Sequence, residues 1–189
     1  MRRSLEDSWR FLESEGEKPP RRPDGRPFVH AAMPSIGDDE VGFHYNKYRL
    51  EDADNGDLAL PRSFFGRSRF ARVRFANTDL SGSRMCWNDF DGCDFSRADL
   101  SGCDMRASVF KDCKFAGAVL RGADLRRSSF EGCDFAGADL TGAVAEDEGP
   151  MGYVGDSLTD AQMDPMTWLP DEGPEPPGGC ARHAEPGSV

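Results

Sequence analysis

The residues best suited to chemistry in this chain are six cysteines, a residue type that can ligate a metal, form disulfides or act as a nucleophile. Three of them lie twenty residues apart, at Cys93, Cys113 and Cys133. No pair has the C-x-x-C spacing of a zinc site, and a constant interval of twenty is typical of a structural repeat. We therefore predict a column of reduced, inward-pointing thiols that act as small apolar side chains. Cys103 is also expected inside the fold, Cys86 outside it, and Cys180 in the C-terminal tail.

Two other groups of polar residues are weaker candidates for chemistry. The segment 52–57 is similar to a calcium loop, but Gly56 stands at its fifth position instead of its sixth and the distal glutamate is missing. The chain has three histidines, His30, His44 and His183, and none lies between residues 62 and 143. No combination of a nucleophile and a base can be assembled from the sequence. We predict no catalytic residue, no metal site and no cofactor.

A five-residue repeat must position these side chains. Every fifth residue from 65 to 140 is large and apolar, and a mostly small residue stands two positions before it. A period of five fits neither an α-helix nor a simple strand. It fits a chain that turns a corner every five residues, with one large and one small side chain pointing inward. Four such sides close a coil of twenty residues.

Residues one coil apart are alike, which supports the period of twenty. The matching central residues are Phe70, Phe90, Phe110 and Phe130; Phe75, Phe95, Phe115 and Phe135; Leu80, Leu100, Leu120 and Leu140; and Phe65, Met85, Met105 and Leu125. Like residues in register form ladders that fill an interior without voids. A glycine also follows the leucine side in each coil, at Gly82, Gly102, Gly122 and Gly142. This position indicates a turn that needs a positive φ.

The segments 98–102, 123–127 and 138–142 each read A-D-L-x-x. They resemble the A-(D/N)-L-x-x unit of the pentapeptide-repeat family, and the likeness covers residues 62–143. The resemblance implies an all-β fold, a right-handed quadrilateral parallel β-helix of about four coils. Four coils at roughly 4.8 Å spacing make a rod about 19 Å tall. Its apolar ends require caps.

The flanking segments are expected to cap this rod or to form tails. Residues 1–40 are predicted to hold a helix capped by Ser4 and then a proline-rich linker. Residues 41–61 keep the five-residue register with bulkier side chains, so we predict an N-terminal cap from which 51–57 bulges as a loop. Residues 144–189 are acidic and rich in proline and glycine. One part of them is expected to fold back over the C-terminal end, and the last residues are expected to be disordered.

The charge distribution directs attention to one outward face. The chain carries a net charge of −11, but residues 62–143 have 13 basic and 11 acidic residues, whereas residues 144–189 have one basic and ten acidic residues. The side centred on Phe65, Met85, Met105 and Leu125 is rich in outward arginines. Its candidate partner-binding residues are Arg67, Arg84, Trp87, Arg106, Arg126 and Arg127. Tryptophan and arginine are the types that most often anchor interfaces. The acidic tail is the competing occupant of this face.

Two classes of function follow from these expectations. The preferred one is a non-enzymatic scaffold or inhibitor that binds another protein, for example an immunity protein that neutralises a bacterial toxin enzyme. The alternative, implied by the family, is a DNA mimic that binds DNA gyrase or topoisomerase and gives quinolone-type resistance. The positive balance and short length of the coil region argue against mimicry, and the overall charge argues against direct nucleic-acid binding. No apolar run spans a membrane and no secretory signal follows Met1, so we expect a cytoplasmic protein, monomeric or dimeric.

Overall fold

The computed structural model describes residues 1–16, 44–146 and 167–169. It is a parallel β-solenoid with one short helix at the N terminus. Its elements in chain order are α1 (Leu5–Ser14), β1 (His44–Asn46), β2 (Arg49–Glu51), β3 (Phe64–Gly66), β4 (Arg69–Ala71), β5 (Asp89–Asp91), β6 (Val109–Lys111), β7 (Ser129–Glu131), β8 (Val144–Glu146) and β9 (Thr167–Leu169). The predicted all-β fold of about four coils is therefore confirmed.

Successive turns pair in parallel at the predicted interval of twenty residues. Phe70 lies opposite Phe90, and Phe90 lies opposite Phe110. We call the side centred on Phe65, Met85, Met105 and Leu125 side 1, and the following sides, centred on Phe70, Phe75 and Leu80 in the same turn, sides 2, 3 and 4. Sides 3 and 4 pair through isolated bridges, such as the one between Asp79 and Asp99. A substitution at one position therefore has a defined neighbour one turn above and one turn below.

The interior is built from the sixteen central residues, each of which is at most 1% exposed. The phenylalanines of sides 2 and 3 stack with ring centroids 4.8–5.2 Å apart and planes within 11° of parallel. The small inward residues add hydrogen bonds. Ser108 Oγ donates to the Met85 carbonyl oxygen at 2.5 Å, and Cys113 Sγ donates to the Phe90 carbonyl oxygen at 3.5 Å. Serine and cysteine fit this position because each is small and still satisfies a buried carbonyl.

Residues 44–61 form a further turn in the same register, because β1 pairs with β3 and β2 pairs with β4. The expectation that 51–57 bulges as a loop is wrong. Asn55 and Asp57 donate their backbone N–H groups to the turn above at 2.8 and 2.9 Å. The carboxylates that made the segment look like a solvated loop instead pair with arginines of the next turn: Asp52 with Arg72 and Asp54 with Arg74, at 2.6 and 2.8 Å.

The predicted N-terminal helix is confirmed as α1, and it packs against this first turn. Ser4 is its N-cap, and the Ser4 side chain accepts a hydrogen bond from the Asp7 N–H. Trp9 and Leu12 enter the core with exposures of 8% and 0%. Ser8 Oγ accepts from the Ala59 N–H at 2.8 Å, which fixes the helix to side 4. No helix in the described ranges is long and apolar enough to cross a membrane.

At the other end, β9 pairs in parallel with β8, so residues 167–169 continue the sheet of side 1. The rest of the predicted C-terminal cap and tail lies outside the described residues, as do the proline-rich linker, His30, Cys180 and His183.

Candidate protein-binding site

The six candidate binding residues all lie on side 1 or on the corner that joins it to side 2, but they fall into different environments. Arg67, Trp87 and Arg127 occupy the corner, and all three side chains are exposed. Arg84 and Arg106 are half-buried on the flat of side 1, and Arg126 is buried there, at 9% exposure. The arginine-rich face predicted from sequence is therefore not uniform.

The corner residues adopt an unusual backbone conformation. Arg67, Trp87 and Arg127 have φ of 51°, 59° and 58°, in the left-handed region. The corner after the leucine side uses glycine at this position, as the sequence predicted, with φ of 64° at Gly82. A side chain costs about 1–2 kcal/mol in this conformation, whereas glycine adopts it freely. The corner between sides 1 and 2 therefore carries large side chains at positions where glycine would cost less conformational energy.

A cleft of about 330 Å³ opens beside this corner at the N-terminal end. Its lining residues are Lys47, Tyr48, Arg49, Arg67, Ser68, Arg69, Trp87 and Asp89. Four of these are cationic and one is acidic. We call this feature the cationic cleft. Trp87, 44% exposed, forms part of its wall.

Further along side 1, the arginines are held by aspartates. Arg106 forms two hydrogen bonds to the Asp104 carboxylate, both 2.8 Å long. Arg126 holds Asp124 in the same bidentate way at 2.9 and 2.6 Å. Arg106 Nε also lies 3.6 Å from Asp124 Oδ2, so the four residues form one network, which we call the paired-charge cluster. Its arginine side chains are only 12% and 11% exposed.

The burial of Arg126 does not follow from its place in the repeat. Arg121 occupies the equivalent position on side 4 and also pairs with an aspartate, Asp139, at 2.5 Å. The Arg121 side chain is nevertheless 67% exposed. The two pairs differ in geometry, because Arg126 makes two hydrogen bonds to an aspartate of its own five-residue unit, whereas Arg121 makes one to an aspartate of the next turn. From the sequence we predicted the acidic C-terminal tail as a competing occupant of this face. That tail lies outside the described residues.

The four cysteines expected to point inward, Cys93, Cys103, Cys113 and Cys133, are free and buried. Burial raises the pKa of the Cys103 thiol to about 12, and hydrogen bonds from the neighbouring thiols, followed by burial, raise the pKa of Cys113. A thiol with a raised pKa is a poor nucleophile at neutral pH. The expectation for Cys86 is wrong: it is 1% exposed and disulfide-bonded.

The acidic residues are likewise engaged within the fold. Asp79 Oδ1 accepts hydrogen bonds from both the N–H and the hydroxyl of Ser81, at 3.0 and 2.7 Å. Asp99 and Ser101 repeat this pattern. In the segment that is similar to a calcium loop, the Arg72 guanidinium holds the pKa of Asp52 below its usual range. Among the described residues, no three His, Cys, Asp or Glu side chains converge in a way that suits a metal ion.

The sequence analysis missed Lys47, Arg49 and Arg69. The signal was present, because Lys47 and Arg67 are twenty residues apart, as are Arg49 and Arg69. The two pairs were overlooked because residues 41–61 were interpreted as a cap and not as a full turn of the solenoid. Once the register extends to residue 44, both pairs stack on adjacent turns.

These features define a class: four-sided parallel β-solenoids built from five-residue units. Residues 85–147 match the family described as "Pentapeptide repeat region". The chain therefore contains a pentapeptide repeat region, as the sequence resemblance implied. No curated protein matches the chain in sequence.

Solved structures of pentapeptide repeat proteins share the fold. HetL, involved in heterocyst differentiation regulation in the cyanobacterium Nostoc sp. strain PCC 7120, is 20% identical, with a TM-score of 0.52 over 58% of this chain. This chain spans 50% of the length of HetL. Rfr23 from the cyanobacterium Cyanothece 51142 is 16% identical, with a TM-score of 0.43 over 52% of this chain and 84% of that one. Full-length QnrB1, a plasmid-mediated fluoroquinolone resistance protein, is 18% identical, with a TM-score of 0.27 over 55% and 74%. The likeness to HetL is one of fold.

Proposed function

We propose that this protein is a non-enzymatic, cytoplasmic scaffold that binds another protein through the corner of side 1. One observation carries the proposal: Trp87 is 44% exposed and stands one turn from the exposed Arg67, on the wall of an open cleft. Exposed tryptophan beside arginine is the composition that anchors protein interfaces most often. A solenoid presents such residues on a rigid surface, which lowers the entropy lost on binding.

The chemistry of the repeat supports binding rather than catalysis. The outward aspartates, which are the residues most able to act as acids or bases, hold serines or arginines of the fold, as Asp79 and Asp104 do. The buried thiol of Cys103 is held in its protonated form by a raised pKa. We therefore assign no catalytic residue.

A concrete form of this function is an immunity protein that inhibits a bacterial toxin enzyme. The cationic cleft would contact an acidic patch on the enzyme, and Trp87 would fill a neighbouring pocket. Mimicry of DNA fits less well, because residues 62–143 carry two more basic than acidic residues and a DNA mimic needs a dense negative surface.

The proposal is tested by co-purification from the native host. The bait proteins are the wild type, an Arg67→Ala/Trp87→Ala variant and an Arg97→Ala/Val109→Ala control. The control removes another exposed corner arginine and another exposed apolar residue, Val109 being 46% exposed. We expect one protein to be retained at equal stoichiometry by the wild type and the control and to be lost from the first variant.

The retained protein is then assayed as an enzyme. Inhibition by the purified wild type and control, without inhibition by the Arg67→Ala/Trp87→Ala variant, supports the inhibitor role. Recovery of gyrase subunits would favour the DNA-mimic alternative. Absence of any stoichiometric partner in the wild-type sample contradicts the proposal.

A further inference from the structure

We propose that the cationic cleft is a receptor for a short acidic peptide segment of the partner protein. Carboxylates of the segment pair with Arg67, Arg69 and Lys47, and an apolar side chain beside them packs on Trp87. This inference deepens the proposed function and rests on it, because it names the chemistry that the same corner recognises.

The first argument is the arrangement of charge between turns. On side 3 the outward residues alternate in sign from turn to turn, in the order Asp54, Arg74, Asp94, Lys114 and Asp134. Opposite charges on adjacent strands stabilise a sheet, and like charges destabilise it. The cleft departs from this alternation on one side, because Arg49 lies directly opposite Arg69 in the β2–β4 pair, whereas Asp89 lies opposite Arg69 in the β4–β5 pair. Lys47 and Arg67 are twenty residues apart and add two further cations at the neighbouring corner.

The second argument is the lack of an internal partner. The like-charge neighbours Asp104 and Asp124 are neutralised in place, because they hold arginines at 2.6–2.9 Å. By contrast, Lys47, Arg67 and Arg69 form no ion pair with any residue in the ranges 1–16, 44–146 and 167–169. Arg49 has only a long contact, 3.9 Å, with Glu51. The cleft therefore holds unneutralised positive charge, which an external anion can satisfy.

The size and surroundings of the cleft favour a peptide over a nucleic acid. A volume of about 330 Å³ accommodates a few side chains, and Trp87 is the one exposed tryptophan among the lining residues. Asp89 lines the cleft and Glu51 lies beside Arg49, so a continuous phosphate backbone would meet carboxylates. A segment with a few carboxylates and one apolar residue matches the site.

The test measures binding of defined probes to the full chain by fluorescence anisotropy. The probes are a labelled glutamate–glycine peptide with a central leucine, the lysine–glycine peptide of the same design, and an oligothymidine of the same charge as the acidic peptide. We expect the wild type to bind only the acidic peptide, and to bind it more weakly as salt is added. The Arg67→Glu/Arg69→Glu variant should lose about tenfold or more in affinity.

A matched control separates the cleft from net charge. The Arg97→Glu/Lys111→Glu variant reverses two exposed cations elsewhere on the solenoid and should bind like the wild type. Equal loss in both variants, no binding of the acidic peptide, or tighter binding of the oligothymidine each overturns the proposal. Binding that appears only when Asp171, Glu172, Glu175 and Glu185 are changed to their amides also overturns it, because the chain's own tail would then be the occupant.

The acidic-peptide inference can be wrong while the proposed scaffold function is correct. If the Arg67→Glu/Arg69→Glu variant still retains and inhibits the co-purified enzyme, the acidic-peptide inference is wrong and the scaffold function survives. If the wild type has no stoichiometric partner yet binds the acidic peptide, the scaffold function fails on its own test.

Discussion

The paired-charge cluster on side 1 and the cationic cleft where side 1 meets side 2 both contain arginines but treat them in opposite ways. In the paired-charge cluster, each arginine is held by an aspartate two residues earlier, and the network is largely buried. In the cationic cleft, Arg67 and Arg69 stand exposed, above or beside further cations. Counts of arginine on a face therefore do not identify a binding surface. The placement of aspartate within the same five-residue unit separates structural arginines from those available to a partner.

The largest effect expected from this comparison is on the paired-charge cluster. Asp124→Ala removes both hydrogen bonds that Asp124 accepts from the mostly buried Arg126 guanidinium, and the loss of these charge-assisted bonds costs about 2 kcal/mol. Asp134→Ala is the matched control, since Asp134 has the same place in the repeat and also accepts from the backbone two residues on, at 2.9 Å, but is exposed. We expect a loss of about 0.5 kcal/mol there. Urea unfolding of both variants measures the difference, and equal losses would contradict the assignment of Arg126 as structural.

The next effect compares two arginines in equivalent positions. Arg126→Ala removes a side chain that is 11% exposed, together with its packing, and should reduce the free energy of unfolding by about 1 kcal/mol. Arg121→Ala removes one that is 67% exposed and should change stability by less than about 0.5 kcal/mol. Thermal and urea unfolding report both values. If Arg121→Ala loses more free energy of unfolding than Arg126→Ala, the burial of an arginine does not indicate how much it stabilises this fold.

The sequence predicted the interior of this protein far better than its exterior. The period of five and the like-with-like columns fix the inward residues, because only one register buries Phe70, Phe90 and Phe110 together. The period also predicted the positive φ of Gly82. Outward residues have no such constraint, so Arg106 and Arg67 looked alike until the Asp104 contacts and the exposures were known. Lys47 was missed because residues 41–61 were expected to form a cap, so their outward residues were not compared with those of the next turn.

The exposed pair formed by Arg121 and Asp139 should affect stability only in acid. A hydrogen bond from the Thr141 hydroxyl, followed by one from Arg121, lowers the pKa of Asp139 from 3.8 to about 2. Because the folded pKa is depressed, this contribution is present above about pH 4 and is lost as the pH falls toward 2. Its size is below about 1 kcal/mol, since Arg121 is exposed. Asp139→Asn should be less stable than the wild type at pH 7, and the gap in urea unfolding should close near pH 2. A gap that is the same at both pH values contradicts this origin.

The smallest effect has the opposite sign and concerns the cleft. Arg67→Gly relieves a left-handed conformation worth about 1–2 kcal/mol, while the added freedom of glycine in the unfolded chain costs about 0.5–1 kcal/mol. The net expectation is a gain of about 0.5 kcal/mol in the free energy of unfolding. Arg97→Gly, at another corner with a φ of 58°, should gain a similar amount.

We expect Arg67→Gly to lose affinity for the acidic peptide and Arg97→Gly to keep it. This result would mean that Arg67 destabilises the fold slightly but is needed for binding. If Arg67→Gly instead destabilises the protein while Arg97→Gly stabilises it, the Arg67 side chain supports the fold. The cleft would then resemble the paired-charge cluster, and the distinction between the two regions would disappear.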